Sequence, residues 1–145
     1  MSHSNYELLE AWEDILRADR RTKGYSVELL STPDEIPGPG TTPLISIYPR
    51  AKGRTETRIS GNVEPYTAIP LFDFILWESS VGDLKGAYKL LDELEENVYP
   101  VLLENRTVGG KVSTSVIGDT VYDATLHQGT FFVQATIPVT MEQKQ

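Results

Sequence analysis

"YTAIPLFDFILWESS", residues 66–80, decides how the rest of the chain must be arranged. Side chains alternate across a strand. Alternation here puts Ile69, Leu71, Ile75 and Trp77 on one side and Phe72, Phe74 and Leu76 on the other. The stretch therefore reads as a strand that is apolar on both faces, and such a strand must be covered on both. Two helices of one domain can cover one face. The second face then calls for a partner, or else the strand lies at the centre of a folded-over sheet. A membrane span is not expected, because residues 68–77 are too few to cross a bilayer and are interrupted by Pro70 and Asp73.

Downstream, residues 81–103 predict a helix entered at Ser80, with Asp83 three residues later. Val81, Leu84, Tyr88, Leu91, Leu94, Val98 and Leu102 form its apolar stripe, and Asp92, Glu93 and Glu96 its solvated face. Pro100 has no N–H to give and should kink or end the regular helix there, leaving a last turn at residues 101–104. A corner follows at Thr107, Gly109 and Gly110, where the glycines permit backbone angles or close approaches that a side chain would block. The tail reads as two or three strands. Gly118–Asp119 is expected as a hairpin turn between "KVSTSVIG" and "TVYDATL". "TFFVQATIPVTM" alternates with Phe131, Val133, Ala135, Ile137, Val139 and Met141 on one face. Pro138 within it suggests an edge strand.

Upstream, residues 4–21 predict an amphipathic helix. Ser4 and Glu7 have capping-box spacing, and Leu8, Leu9, Trp12, Ile15 and Leu16 share a face. "YSVELLS" and "LISIYP" read as strands, separated by the proline- and glycine-rich loop "TPDEIPGPGTTP". "RAKGRTETRIS", residues 50–60, is expected to begin as a loop around Gly53 and to become a strand by Thr57. Helix, strands, helix, strands, joined mostly by hairpins, is an α+β pattern. The expectation is a single domain over residues 1–145. It has a mainly antiparallel, mixed sheet, two principal helices on one face, and long hairpin and loop excursions.

At 145 residues the chain can bury roughly 70% of its unfolded surface, enough for a core without staples. It has no cysteine, which excludes disulfides and thiolate metal sites. The N-terminal residues lack the basic-then-apolar order of a signal peptide. A net charge of −8 opposes the usual basic mode of nucleic-acid binding and the surface of acidic membranes. An acidic wall past which DNA slides is compatible with that charge, since no cation displaces the counterions of the phosphates.

No motif for chemistry emerges. His3 and His127 have no ligand partner at metal spacing, "GPG" at residues 38–40 lacks the lysine of a phosphate loop, and no nucleophile elbow is present. "NRT" at residues 105–107 matches a glycosylation sequon without a secretory signal, and the carboxylates of "DELEE" are ordinary for an exposed helix. No catalytic residue, cofactor or metal is therefore expected. The local charge feature is Arg50, Lys52, Arg54 and Arg58. It reads either as a solvated hairpin or as a contact surface for an acidic partner, including a neighbouring copy. Phe72, Phe74 and Leu76 of the doubly apolar strand join it as candidates for contact between proteins.

With the elements placed, the second half resembles the bacteriophage tail terminator (tail completion) proteins of long-tailed phages. "LKGAYKLLDELEENVYPVLLENRTVGGKV" carries a helix into a corner at which Leu103, Asn105, Thr107, Val108, Gly109 and Gly110 stand in the places of that family's Thr-Leu-Gly-Gly-like turn. Val108 replaces the commoner leucine, and "TPDEIPGPGTTP" has no counterpart. The resemblance implies a virion protein of the tail's neck region, made in the host bacterial cytoplasm. It implies a homo-oligomeric ring, usually of six copies, that caps the tail tube and meets the head–tail connector or stopper protein. DNA would pass through its lumen without specific binding, with no membrane, cofactor or reaction involved. Another head–tail joining or tube component, such as a stopper or adaptor, and a small ligand-binding or enzymatic α+β module are the competing readings.

Overall fold

The computed structural model describes residues 3–38, 40–55, 58–59, 62–63 and 67–143. Its elements run α1 (Asn5–Ala18), β1 (Ser26–Leu29), β2 (Leu44–Thr55), β3 (Arg58–Ile59), β4 (Asn62–Val63), β5 (Thr67–Val81), α2 (Leu84–Glu104), β6 (Thr114–Ile117), β7 (Val121–His127) and β8 (Thr130–Glu142). One sheet has the order β1-β2-β5-β8-β6, with β7 also on β8, and β3 and β4 form a small ribbon of their own. The β1–β2 pair is parallel and the other pairs are antiparallel, so the α+β, mainly antiparallel reading holds.

Strand β5 is central, flanked by β2 and β8 along most of its length. Phe72, Phe74 and Leu76 point to the face carrying both helices. They join Leu8, Leu9, Trp12 and Leu16 of α1 and Leu91, Leu94, Val98 and Leu102 of α2 in one core. Trp12 meets Phe74 edge-on at 5.1 Å between ring centroids. The alternating face of β8 completes this layer, with Val133, Ala135, Ile137, Val139 and Met141 all buried and Phe131 packed against them. Ser4 caps α1 as its spacing predicts. Its hydroxyl accepts from the Glu7 N–H at 3.1 Å, and the Glu7 carboxylate accepts from the Ser4 N–H at 3.2 Å. Arg21 ties the far end of α1 to that of α2 by pairing with both Asp19 and Glu104.

Several expectations are corrected. Residues around Gly53 are not a loop: β2 runs through them to Thr55, with Gly53 opposite Ile69. A twelve-residue strand gains a ladder bond at almost every step, which outweighs one unfavourable glycine. Thr57, where a strand was expected to start, lies outside the described residues. At its other end β5 continues to Val81 opposite Thr130, and α2 starts only at Leu84. Asp83 is the N-cap, its carboxylate accepting from the Gly86 N–H at 3.0 Å. Pro100 lies inside α2, which runs on through the last turn expected after it to Glu104. The bond it removes is the one to the Glu96 carbonyl, on an exposed turn where water can replace it.

The tail differs most from expectation. Gly118–Asp119 is not a hairpin turn. β6 and β7 run in the same direction along one edge of β8, with Ile117 opposite Val139 and Val121 opposite Thr136. The register moves by one residue between them, which makes the glycine segment a bulge in one long edge strand. Pro138 sits at that bulge, and its carbonyl accepts from the Gly118 N–H at 2.8 Å. β8 is thus an interior strand, and its proline is tolerated because the ladder is already interrupted there. A Cβ on Gly118 would stand 2.9 Å from Pro138 Cγ, so close approach fixes that glycine. The true hairpin turn is Gln128–Gly129, with φ of 49° and 79°, the positive pair that a two-residue turn requires.

Candidate functional surfaces

The second face of β5 is built differently from the first. Leu44, Ile75, Trp77 and Phe132 form a small buried cluster, with Tyr48 against it. The "TPDEIPGPGTTP" segment comes back over this cluster. Gln134 Nε2 donates to the Pro33 carbonyl at 2.8 Å, the Thr42 and Ser79 hydroxyls lie 2.6 Å apart, and Ile36 shares a cleft with Trp77 and Phe132. Part of the cover expected from a partner therefore comes from the chain's own loop. Farther along β5 this face stays half open at Ile69 and Leu71, beside Pro138 and Thr140 of β8.

Asp73 lies within this face and is 4% exposed. Arg50 Nε donates to its Oδ2 at 2.8 Å, while Oδ1 has no hydrogen-bond partner among the described residues. Sequence reading listed Arg50 as a contact cation and missed this partner. The signal was available in a lone carboxylate inside an apolar strand, which needs a cation or donor beside it.

The remaining candidates are not gathered in one place. The register shifts between Pro49 and Ala51, so that Lys52 opposes Pro70 and Arg54 opposes Ala68. Lys52 and Arg54 thus share the side opposite to Asp73, and Arg50 is separated from them by the sheet. The Arg58 side chain lies outside the described residues. Phe72, Phe74 and Leu76, also named as contact candidates, are fully buried beneath the helices. A neighbour reaching β5 meets the Leu71 face instead.

The corner after α2 shows why its glycines are there. Val108, Gly109 and Gly110 have φ of 51°, 66° and 85°. Nothing lies within 4 Å of a Cβ built on Gly109 or Gly110, so backbone angle and not close approach is what they supply. Val108 takes the same left-handed angle with a β-branched side chain, a strained state that its complete burial holds in place. The Val112 N–H donates to the Thr107 carbonyl at 3.0 Å and closes the turn.

A surface that sequence reading missed lies between the start of α2 and β7. The α2 stripe is buried only from Ala87 onward, while Val81, Leu84 and Tyr88 are exposed. On β7, Tyr122 and Leu126 point to the same side and are exposed as well. Leu84, Lys85, Tyr88, Leu91, Tyr122, Asp123, Ala124 and Val133 line an open groove of about 700 Å³. The Tyr88 and Tyr122 rings are 6.0 Å apart across it. The Tyr122 hydroxyl donates to Glu95, which holds the phenol proton well above its usual range. Burial raises the Glu78 carboxyl, and the nearby Glu93 adds to the shift. Among the described residues no group of His, Asp or Glu is placed to hold a metal ion, and no helix is long and apolar enough to cross a membrane.

No protein-family model and no curated protein sequence matches the chain. Among solved structures, the fold is similar to that of a chain described as "Virion of native gene transfer agent (GTA) particle". The TM-score is 0.50 at 11% identity, and the match covers 93% of this chain and 94% of that one. The likeness is one of fold, over nearly the whole of both chains.

Proposed function

We propose that this chain is a non-enzymatic structural protein of a phage-like virion. In this reading it forms a ring, of six copies, on the end of the tail tube, stops tube polymerisation and joins the tail to the head connector. The observation that carries this reading is the whole-length fold likeness to a chain of a virion particle, at 93% and 94% coverage. The Thr-Val-Gly-Gly corner supports the terminator role within that class. The half-open sheet face at Ile69 and Leu71 and the exposed groove beside α2 are surfaces of the kind assembly needs. A net charge of −8 suits a lumen through which DNA passes without sticking.

The test is negative-stain microscopy of purified protein mixed with growing tail tubes. Rings at one end of tubes of fixed length are expected, and cells lacking the protein should yield overlong tubes unattached to heads. Tubes that keep growing in its presence overturn the terminator role. Binding to the head connector alone, with no effect on tube length, assigns it to the adjoining neck component.

A further inference from the structure

We propose that the groove between α2 and β7 receives the β2–β5 ribbon of the next copy of this chain, with Lys52 and Arg54 of that ribbon seated on Asp92 and Glu96. This inference rests on the ring reading and names the contact that would build the ring.

The groove is an exposed apolar patch with no cover among the described residues. Tyr88 is 48% exposed, Tyr122 46% and Leu84 45%. Contiguous exposure of this kind marks an interaction site, whereas scattered single residues do not. The groove is continuous with carboxylates. Asp92 is one turn beyond Tyr88, Glu95 accepts from Tyr122, and Asp92, Glu95 and Glu96 share a shallow cleft with Tyr99 and Pro100.

Charge selects the occupant. In a chain of net charge −8, residues 51–71 carry Lys52, Arg54 and Arg58 against Glu56 and Glu64, while Arg50 is taken up by Asp73 on the other side of the sheet. Spacing selects the two cations. Lys52 and Arg54 are two residues apart on one side of a strand, which separates them by about 7 Å. Asp92 and Glu96 are four residues apart on a helix, neighbours at about 6 Å. Two cations in a row thus meet two carboxylates in a row, and Leu84, Tyr88 and Tyr122 lie alongside to take apolar contact.

Topology excludes the same molecule as the source. The ribbon cations lie opposite Ala68 and Pro70, near the start of β5. The groove lies beside its end, where Ala124 pairs with Val133 and Val133 with Glu78. Tyr122, whose hydroxyl reaches Glu95 beside the carboxylates, pairs with Ala135 and that with Leu76, so some seven strand residues, about 20 Å, separate cations and carboxylates along β5. A knob and a socket at opposite ends of one protomer make a head-to-tail contact, the kind that closes into rings.

The test is a charge swap in the full chain, read by sedimentation velocity and native mass spectrometry. Lys52→Glu and Glu96→Lys are each expected to weaken self-association by about tenfold or more, and the double variant to return to within about threefold of the native chain. Thermal melts confirm folding, and Arg54→Glu with Asp92→Lys is the same swap one position along should either single variant fail to fold. Single variants that associate normally, or a double variant no better than the worse single one, overturn the contact. If the native chain caps tubes yet the swap fails to restore association, only this contact falls. If the native chain neither associates nor caps tubes, the ring reading falls with it.

Discussion

Phe74 and Ile75 are consecutive residues of β5, both fully buried, and different parts of the chain cover them. Over Phe74 lie two helices, with Trp12 edge-on to its ring. Over Ile75 lie Trp77, Leu44, Phe132 and an irregular proline-rich loop. The first cover is amphipathic and long, so its burial was written in the periodicity of α1 and α2. The second is short, and it ends before Leu71, leaving that part of the sheet half open. The difference shows that an apolar face does not by itself announce a partner. What matters is how far the chain's own segments reach across it, and here they stop partway along β5.

The comparison can be broken most directly at Phe74. Phe74→Ala should cost about 4 kcal/mol of stability, because the cavity lies between two helices and a sheet that cannot all collapse into it. Urea unfolding measures this, and a loss near 1 kcal/mol would show that the helix-covered face is not the main core. Ile75→Ala should cost less, about 2 kcal/mol, since an irregular loop can settle into the space more readily than a helix. Equal losses at the two positions would mean that the loop is as firmly held as the helices.

Leu71→Ala, on the half-open stretch, should change the stability of the isolated chain by under about 1 kcal/mol. A clear loss of assembly alongside that small change would mark this stretch as a second contact face. The smallest effect is expected at Glu78. Burial raises its carboxyl above the ordinary value of 4.5, so the folded state holds that proton more tightly than the unfolded chain does. The stability this group contributes is complete below the unfolded value and is lost as pH rises through the raised folded value. Glu78→Gln should therefore be slightly more stable than the native chain at pH 7 and should flatten that part of the pH profile. Melting curves from pH 4 to 7 that are parallel for the two proteins would contradict it.

Much of the fold was legible because its signals are local. The capping box of Ser4 and Glu7 and the stripe of Leu8, Leu9, Trp12 and Leu16 need only neighbours within a turn or two. The alternation of Val133, Ala135, Ile137, Val139 and Met141 likewise lies within one strand. Misreadings gathered where a residue's meaning depends on a distant strand. Gly53 read as a loop until its partner Ile69 was in place, and Gly118 and Pro138 read as a turn and an edge until they faced each other across a bulge. Of the surfaces, the cationic segment was visible, but its division by the pleat was not, since the register shift after Pro49 sends Arg50 to Asp73 and Lys52 the other way.

The sequence by itself determined the α+β class, the two helices, the strand apolar on both faces and the corner at Gly109 and Gly110. Each follows from periodicity or from backbone angles that only certain residues accept. Only the tertiary structure decided which face of β5 the helices take, that a proline-rich loop covers part of the other, and that α2 overhangs β7 to leave Leu84, Tyr88 and Tyr122 in a groove. The physical reason is that exposure belongs to no residue alone. It is set by which segments reach across a surface, and a chain of contacts between residues far apart in sequence fixes that reach.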